Sequence, residues 1–143
     1  MTSRTRRPAI VLVHPEIPPN TGNVIRLCAN TGAQLHLVRP LGFEIDDKRL
    51  RRAGLDYHEW QPVQVHDTLE LALAATGAPP ERCFAMTTKG SRLVGELTFN
   101  PGDVFVFGRE TAGLTAEQVG LFSAAQRLRL PMQPEQRSLN LSN

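Results

Sequence analysis

Ala9-Ile10-Val11-Leu12-Val13 places five apolar residues in a row, and Pro15, Pro18 and Pro19 follow closely. A run this short, rich in β-branched residues and closed by prolines, reads as a central strand covered on both faces. Beyond the prolines, Val24, Ile25, Leu27 and Cys28 recur with helical spacing, Asn20 is the expected N-cap, and Gly32 is the expected stop. Leu35 to Val38 supplies the next strand. Together these segments make a β-α-β unit, the building block of parallel sheets.

The alternation continues along the chain. A short basic helix is expected from Asp46 to Ala53, ended by Gly54, and Val63 and Val65 mark a strand. Asp67 or Thr68 caps a helix carrying Leu69, Leu71, Ala72 and Leu73 up to Gly77, and Ala78-Pro79-Pro80 imposes a loop. Cys83 to Met86 and Val104 to Phe107 are buried-strand candidates, with a turn at Asn100-Pro101-Gly102-Asp103 between them. Thr115 caps a helix through about Ala124, and Leu128-Arg129-Leu130 is the last strand, closed by Pro131. No repeat or linker divides the chain. The expected fold class is therefore α/β, a single domain with a mostly parallel sheet over 9–143, preceded by a basic tail at 1–8.

Composition narrows the function classes. With 143 residues, 41% of them hydrophobic and 21% charged, the chain can bury a real core, which removes disordered and fibrous classes. The longest apolar runs fall far short of the roughly 20 residues a membrane span needs, and the N-terminus lacks a secretory cleavage pattern, so the expected compartment is the cytoplasm. Cys28 and Cys83 sit in apolar patterns without a CxxC neighbour, as buried reduced thiols do. The histidines, His14, His36, His58 and His66, lack zinc-site spacing, so no metal is expected. A formal charge of +2 is mild, but Lys48, Arg49, Arg51 and Arg52 crowd together, and Arg4, Arg6 and Arg7 form a second patch. Such a cluster is either a solvated helix face or a phosphate contact.

Candidate chemistry lies where strands end in polar loops, the usual place for ligands in α/β sheets. The first such loop, His14 to Asn23, brings amides and a hydroxyl to a helix start, with Arg26 one turn further on. Arg26 there either meets a phosphate or lies on the surface. Neither G-x-G-x-x-G nor a P-loop pattern occurs, so a dinucleotide or triphosphate cradle is disfavoured. In Phe107-Gly108-Arg109-Glu110-Thr111-Ala112-Gly113-Leu114, Gly108 permits close backbone approach and Glu110 is placed to accept hydrogen bonds from loop amides.

It is the joint occurrence that is specific. Asn20-Thr21-Gly22-Asn23 with Arg26, then Phe107 to Leu114, then Leu130-Pro131-Met132 running on to Arg137-Ser138-Leu139-Asn140-Leu141-Ser142-Asn143, resemble in that order the three signature motifs of the SPOUT superfamily of RNA methyltransferases. The resemblance spans Ile10 to Asn143. Its loop from His14 to Asn23, the segment Asp46 to Tyr57, and Thr87-Thr88-Lys89-Gly90 are most similar to the members that act on the tRNA wobble nucleotide. The resemblance implies methyl transfer from S-adenosylmethionine to the ribose 2′-hydroxyl of cytidine or a modified uridine at tRNA position 34. It also implies an α/β domain with a C-terminal trefoil knot, acting as a homodimer without a metal or a membrane. By matched position, Met86, Gly108, Leu130 and Ser138 would bind the donor, and Arg26, Ser138 and Asn140 would be catalytic. Lys48, Arg49, Arg51 and Arg52 would contact the anticodon stem-loop. Family members continue past the Ser142-Asn143 position with a further helix, so a final helix is expected to be missing here.

A ribose hydroxyl is a poor nucleophile until its proton is drawn away, so this chemistry needs a proton acceptor and charge support at the developing alkoxide. A guanidinium serves the second role better than the first. Two other readings compete: a tRNA-binding module that keeps the fold without turnover, and a nucleotide-binding α/β protein acting on a small phosphate ester.

Overall fold

The computed structural model describes residues 7–16, 18–42, 47–52, 54–87, 90, 92–93, 95, 97–109 and 111–129. Its strands are β1 (Ala9–Val13), β2 (Gln34–Val38), β3 (Gln64–His66), β4 (Cys83–Met86), β5 (Arg92–Leu93), β6 (Val104–Phe107) and β7 (Arg127–Arg129). Its α-helices are α1 (Pro18–Thr31), α2 (Asp47–Arg52), α3 (Tyr57–Trp60), α4 (Leu69–Thr76) and α5 (Ala116–Val119). The sheet runs β3-β2-β1-β6-β4-β7-β5, with every described pairing parallel. Chain order steps outward from β1 to β3, then crosses to β4 on the other side and leaves a place that β6 fills. The strand order thus reverses between β1 and β6, where open α/β sheets form a crevice beyond their carboxyl ends.

The two-residue period of a strand divides the core. Ala9, Val11 and Val13 of β1 join Val104 and Val106 of β6, and Leu69 and Ala72 of α4, on one face. Leu12 joins Leu35 and Leu37 of β2 with Val24, Ile25 and Cys28 of α1 on the other. Both faces are covered by helices, which is why these strands read as unbroken apolar runs. Cys28 and Cys83 are buried free thiols, and burial pushes the Cys28 thiol up to about 11.

Several local expectations are corrected. Helix α1 begins at Pro18, so Asn20 lies within its first turn and is not the cap. Proline suits a first turn because its φ is preset and its missing N–H would have had no intrahelical partner. Helix α5 stops at Val119 rather than near Ala124. Gly120 follows, Phe122 turns into the core at 3% exposure, and a separate 3-10 turn covers Ala124–Gln126. The loop expected after Ala78 includes a 3-10 turn at Pro80–Arg82. Strand β5 was not anticipated: two half-buried residues are too few to show an alternation. Of the two cap candidates for α4, Thr68 takes the role, accepting from the Leu71 amide at 3.1 Å, as the sequence allows.

At the amino edge of the sheet, Asp103 is 1% exposed and takes a two-pronged contact from Arg82, Nε to Oδ1 at 2.7 Å and Nη2 to Oδ2 at 2.6 Å. The Asn100 amide also donates to Asp103 Oδ2 at 2.7 Å, and the guanidinium lies 5.0 Å from the Phe84 ring centroid. On the outer strands, the fully buried His36 is hydrogen-bonded to His66 Nε2 at 3.0 Å and to Gln34 Oε1 at 3.1 Å. Burial, reinforced by the neighbouring His66, pushes the His36 imidazole down to about 4. Between pH 4 and 6.5 the unfolded chain would bind the proton that folded His36 refuses. Stability from this residue is therefore fully present above about pH 6.5 and falls by up to about 3 kcal/mol as pH drops to 4. Urea unfolding at pH 7, 5.5 and 4.5 is expected to show this decline, and His36→Gln to flatten it.

Candidate active site

The carboxyl ends of β1, β6, β4 and β7 lie side by side. Register pairs Leu12 with Phe107, Phe107 with Met86, and Met86 with Leu128. Met86 and Gly108, two of the expected donor contacts, thus sit at adjacent strand ends. The Phe107–Leu114 segment turns back sharply: Gly113, at φ +70°, donates its amide to the Arg109 carbonyl at 2.9 Å. A β-carbon on Gly108 would fall 2.2 Å from the Gly113 carbonyl carbon and the Leu114 nitrogen, so only glycine allows this fold-back. Leu130, Ser138 and Asn140, with Lys89 and Glu110, lie outside the described residues.

Two contacts tie the loop after β1 to the segment after β6. Glu16 Oε1 accepts from the Thr111 hydroxyl at 2.7 Å and from the Thr111 amide at 3.2 Å. Those bonds, the hydroxyl's first, hold the Glu16 carboxyl below its ordinary value, with Arg109 adding its charge. Gln118 Nε2 lies 3.2 Å from His14 Nε2. His14 has a left-handed backbone, φ +54°, and its buried Nδ1 has no partner among the described residues. Thr21 Oγ1, on α1, is the other buried side-chain atom without a partner among the described residues.

Arg26 projects from α1 and is 42% exposed at its side chain. Its Nη2 donates to the Gly54 carbonyl at 3.2 Å, and its Nε lies 3.8 Å from Glu59 Oε2. Glu59 is fixed in turn, because its Oε1 accepts from the Asp56 amide at 2.8 Å. The sequence reading had no role for Glu59, Glu16 or Gln118. Their partners lie between 33 and 104 positions away for the longest-range cases, Glu16 to Thr111 and Gln118 to His14 being 95 and 104, a separation no local pattern reveals.

Lys48, Arg51 and Arg52 are exposed on α2, which also carries Arg49. Tyr57 on α3 is 64% exposed and meets Trp60 edge-on, with ring centroids 5.0 Å apart. Trp60 itself packs against the α1 face of the core. Among the described residues, no group of three His, Cys, Asp or Glu could hold a metal ion, and no helix is long and apolar enough to cross a membrane.

Known proteins share this fold. A family model described as the SpoU rRNA methylase family matches residues 7–143. A tRNA (cytidine(34)-2′-O)-methyltransferase of Burkholderia pseudomallei strain 1106a is 60% identical over 134 residues, covering 94% of this chain and 86% of that protein. Its Escherichia coli K12 counterpart by name is 54% identical, covering 94% and 84%. A solved structure described as giving insight into 2-OH methylation of C/U34 on tRNA superposes with a TM-score of 0.79 at 40% identity, covering 96% of this chain and 88% of that one. With a strand order that opens between β1 and β6, a glycine-dependent turn at that opening, and a family match along almost its whole length, the chain belongs to the SpoU rRNA methylase family.

Proposed function

We propose that this protein is a tRNA ribose methyltransferase that transfers a methyl group from S-adenosylmethionine to the 2′-hydroxyl of the wobble nucleotide, cytidine or a modified uridine at position 34. The observation that carries the reading is the convergence of the loops after β1 and β6, joined by Glu16 and Thr111, beside the strand end that bears Met86. The relatives named for this reaction support it. Met86, Phe107 and Leu128 lie in register where β4, β6 and β7 end, beside the turn at Gly108, the place where an α/β sheet takes a nucleoside. Met86, Gly108, Leu130 and Ser138 would hold the donor. When bound, it supplies a methyl group already activated on a sulfonium centre.

The protein's own contribution is placement and charge. Arg26 is the residue we assign to the acceptor side, where its guanidinium anchors the wobble phosphate or offsets developing charge on the 2′-oxygen. Glu59 and the Gly54 carbonyl restrict that side chain without saturating its five N–H donors. Ser138 and Asn140 are assigned to the polar end of the same site. Two copies of the chain form the working unit, residues 9–143 are the catalytic domain, residues 1–8 are a basic tail, and the cytoplasm is the working compartment.

Lys48, Arg49, Arg51 and Arg52 are assigned to the backbone of the anticodon stem-loop, with exposed Tyr57 nearby in sequence as an aromatic surface for a base. Reversing charge at Arg51 and Arg52 together is expected to weaken tRNA binding about tenfold or more and to reduce the slope of log affinity against log salt by about 1–2. Fluorescence anisotropy across a salt series checks this; an unchanged slope would return α2 to the role of a solvated face. The whole reading is tested by incubating tRNA with donor and the purified protein and mapping ribose methylation by mass spectrometry. A methyl group confined to the position-34 ribose is the expected result, and none at that ribose would overturn the reading.

A further inference from the structure

The hydrogen bonds around Gln118 settle which ring nitrogen of His14 carries the proton. Gln118 Oε1 accepts from the Thr115 amide at 2.8 Å, so the group turned toward His14 is the amide nitrogen, which can only donate. His14 Nε2, 3.2 Å away, must then be the acceptor. A neutral imidazole with a lone pair at Nε2 carries its hydrogen on Nδ1. That Nδ1–H is one of the two buried side-chain atoms without a partner among the described residues.

An unmet buried donor is costly, and so is a left-handed backbone at a residue other than glycine. His14 combines both immediately after β1, at the reversal of strand order. The His14 amide is itself fixed, donating to the Val38 carbonyl at 3.0 Å. Unfavourable features held this firmly at a strand end are the mark of a functional position.

Strand order indicates which ligand would answer the donor. Met86 and Gly108 lie at the ends of β4 and β6, whereas β1 flanks β6 on the opposite side and leads into the helix that bears Arg26. We propose that His14 Nδ1–H donates a hydrogen bond to an oxygen of the RNA sugar–phosphate backbone at the target nucleotide. This rests on the tRNA methyltransferase reading. It makes His14 a substrate-positioning residue and gives Gln118 the task of holding its tautomer.

The test uses the full chain, tRNA carrying cytidine at position 34, and S-adenosylhomocysteine. Replacing His14 with Phe is expected to lower kcat/KM for tRNA about tenfold, the worth of one hydrogen bond, with S-adenosylhomocysteine affinity unchanged by calorimetry. His14→Asn, which tolerates the left-handed backbone but is too short to reach, is expected to match it and guards against a Phe variant that fails to fold. In ¹⁵N-histidine-labelled protein, the His14 proton is expected on Nδ1 and to move downfield when tRNA is added. A proton found on Nε2, an unchanged kcat/KM in both variants, or a loss confined to S-adenosylhomocysteine binding would each overturn the proposal. Should the wild-type protein bind tRNA without methylating it, the enzyme reading fails, while the response of the Nδ1 proton still decides the role of His14.

Discussion

Replacing Arg26 with Ala is expected to lower kcat for ribose methylation by at least about 100-fold, because the change removes the cation assigned to the charge that grows on the substrate as bonds rearrange. The structural cost is small. The Arg26 side chain is 42% exposed, and its contacts among the described residues are one carbonyl and one carboxylate at 3.8 Å, a class of surface pairing worth about 1 kcal/mol or less. Glu59 keeps its bond from the Asp56 amide after the change. Single-turnover methylation alongside thermal unfolding separates the two effects: activity collapses while the melting temperature barely moves. Near-normal turnover would remove Arg26 from the site and return it to the surface role that its position on α1 also permits.

The second large effect is on stability and lies at the opposite edge of the sheet. Asp103→Ala is expected to cost about 2–3 kcal/mol, since it takes both carboxylate contacts from Arg82, whose Nη2 keeps the Thr98 carbonyl at 3.3 Å, and leaves the Asn100 amide without its acceptor. Total stabilities of domains are about 5–15 kcal/mol, so the urea midpoint would fall by a large fraction. Replacing Arg82 with Leu as well is expected to recover part of the loss, because no unpaired charge then remains at the edge, and a double-mutant cycle would report the coupling. Methylation per folded molecule is expected to stay normal, since Arg82 and Asp103 precede the strands whose far ends carry the site. A loss below about 1 kcal/mol would mean that this pair contributes no more than an exposed ion pair.

The strands were legible because both faces of β1, β4 and β6 are buried, which writes them into the sequence as apolar runs. Helix ends were legible where one residue decides them, as with Thr68, Gly32 and Gly54, and illegible where tertiary packing decides, as with Phe122 drawing the chain away from α5. Gly108 could be marked as a close-approach position from its place after a strand, although the atoms it approaches could not be named. Glu16 and Gln118 carried no such mark: a carboxylate between prolines and a glutamine in a short helix acquire meaning only when the fold brings Thr111 and His14 to them. The motif containing Ser138 and Asn140 was read from resemblance alone, and its placement belongs to residues outside those described.

The position of β6 has a consequence for how the molecule is made. The innermost strand is encoded far downstream of β1, and at about 5–20 residues per second a ribosome needs on the order of 5–20 s to reach it after β1 has been polymerised. Throughout that interval β1 presents an open edge to any other nascent chain, and the contacts that finally close it are long-range ones, which form slowly. Polysomes, where many unfinished copies crowd together, are thus the setting in which this architecture is most exposed to mispairing.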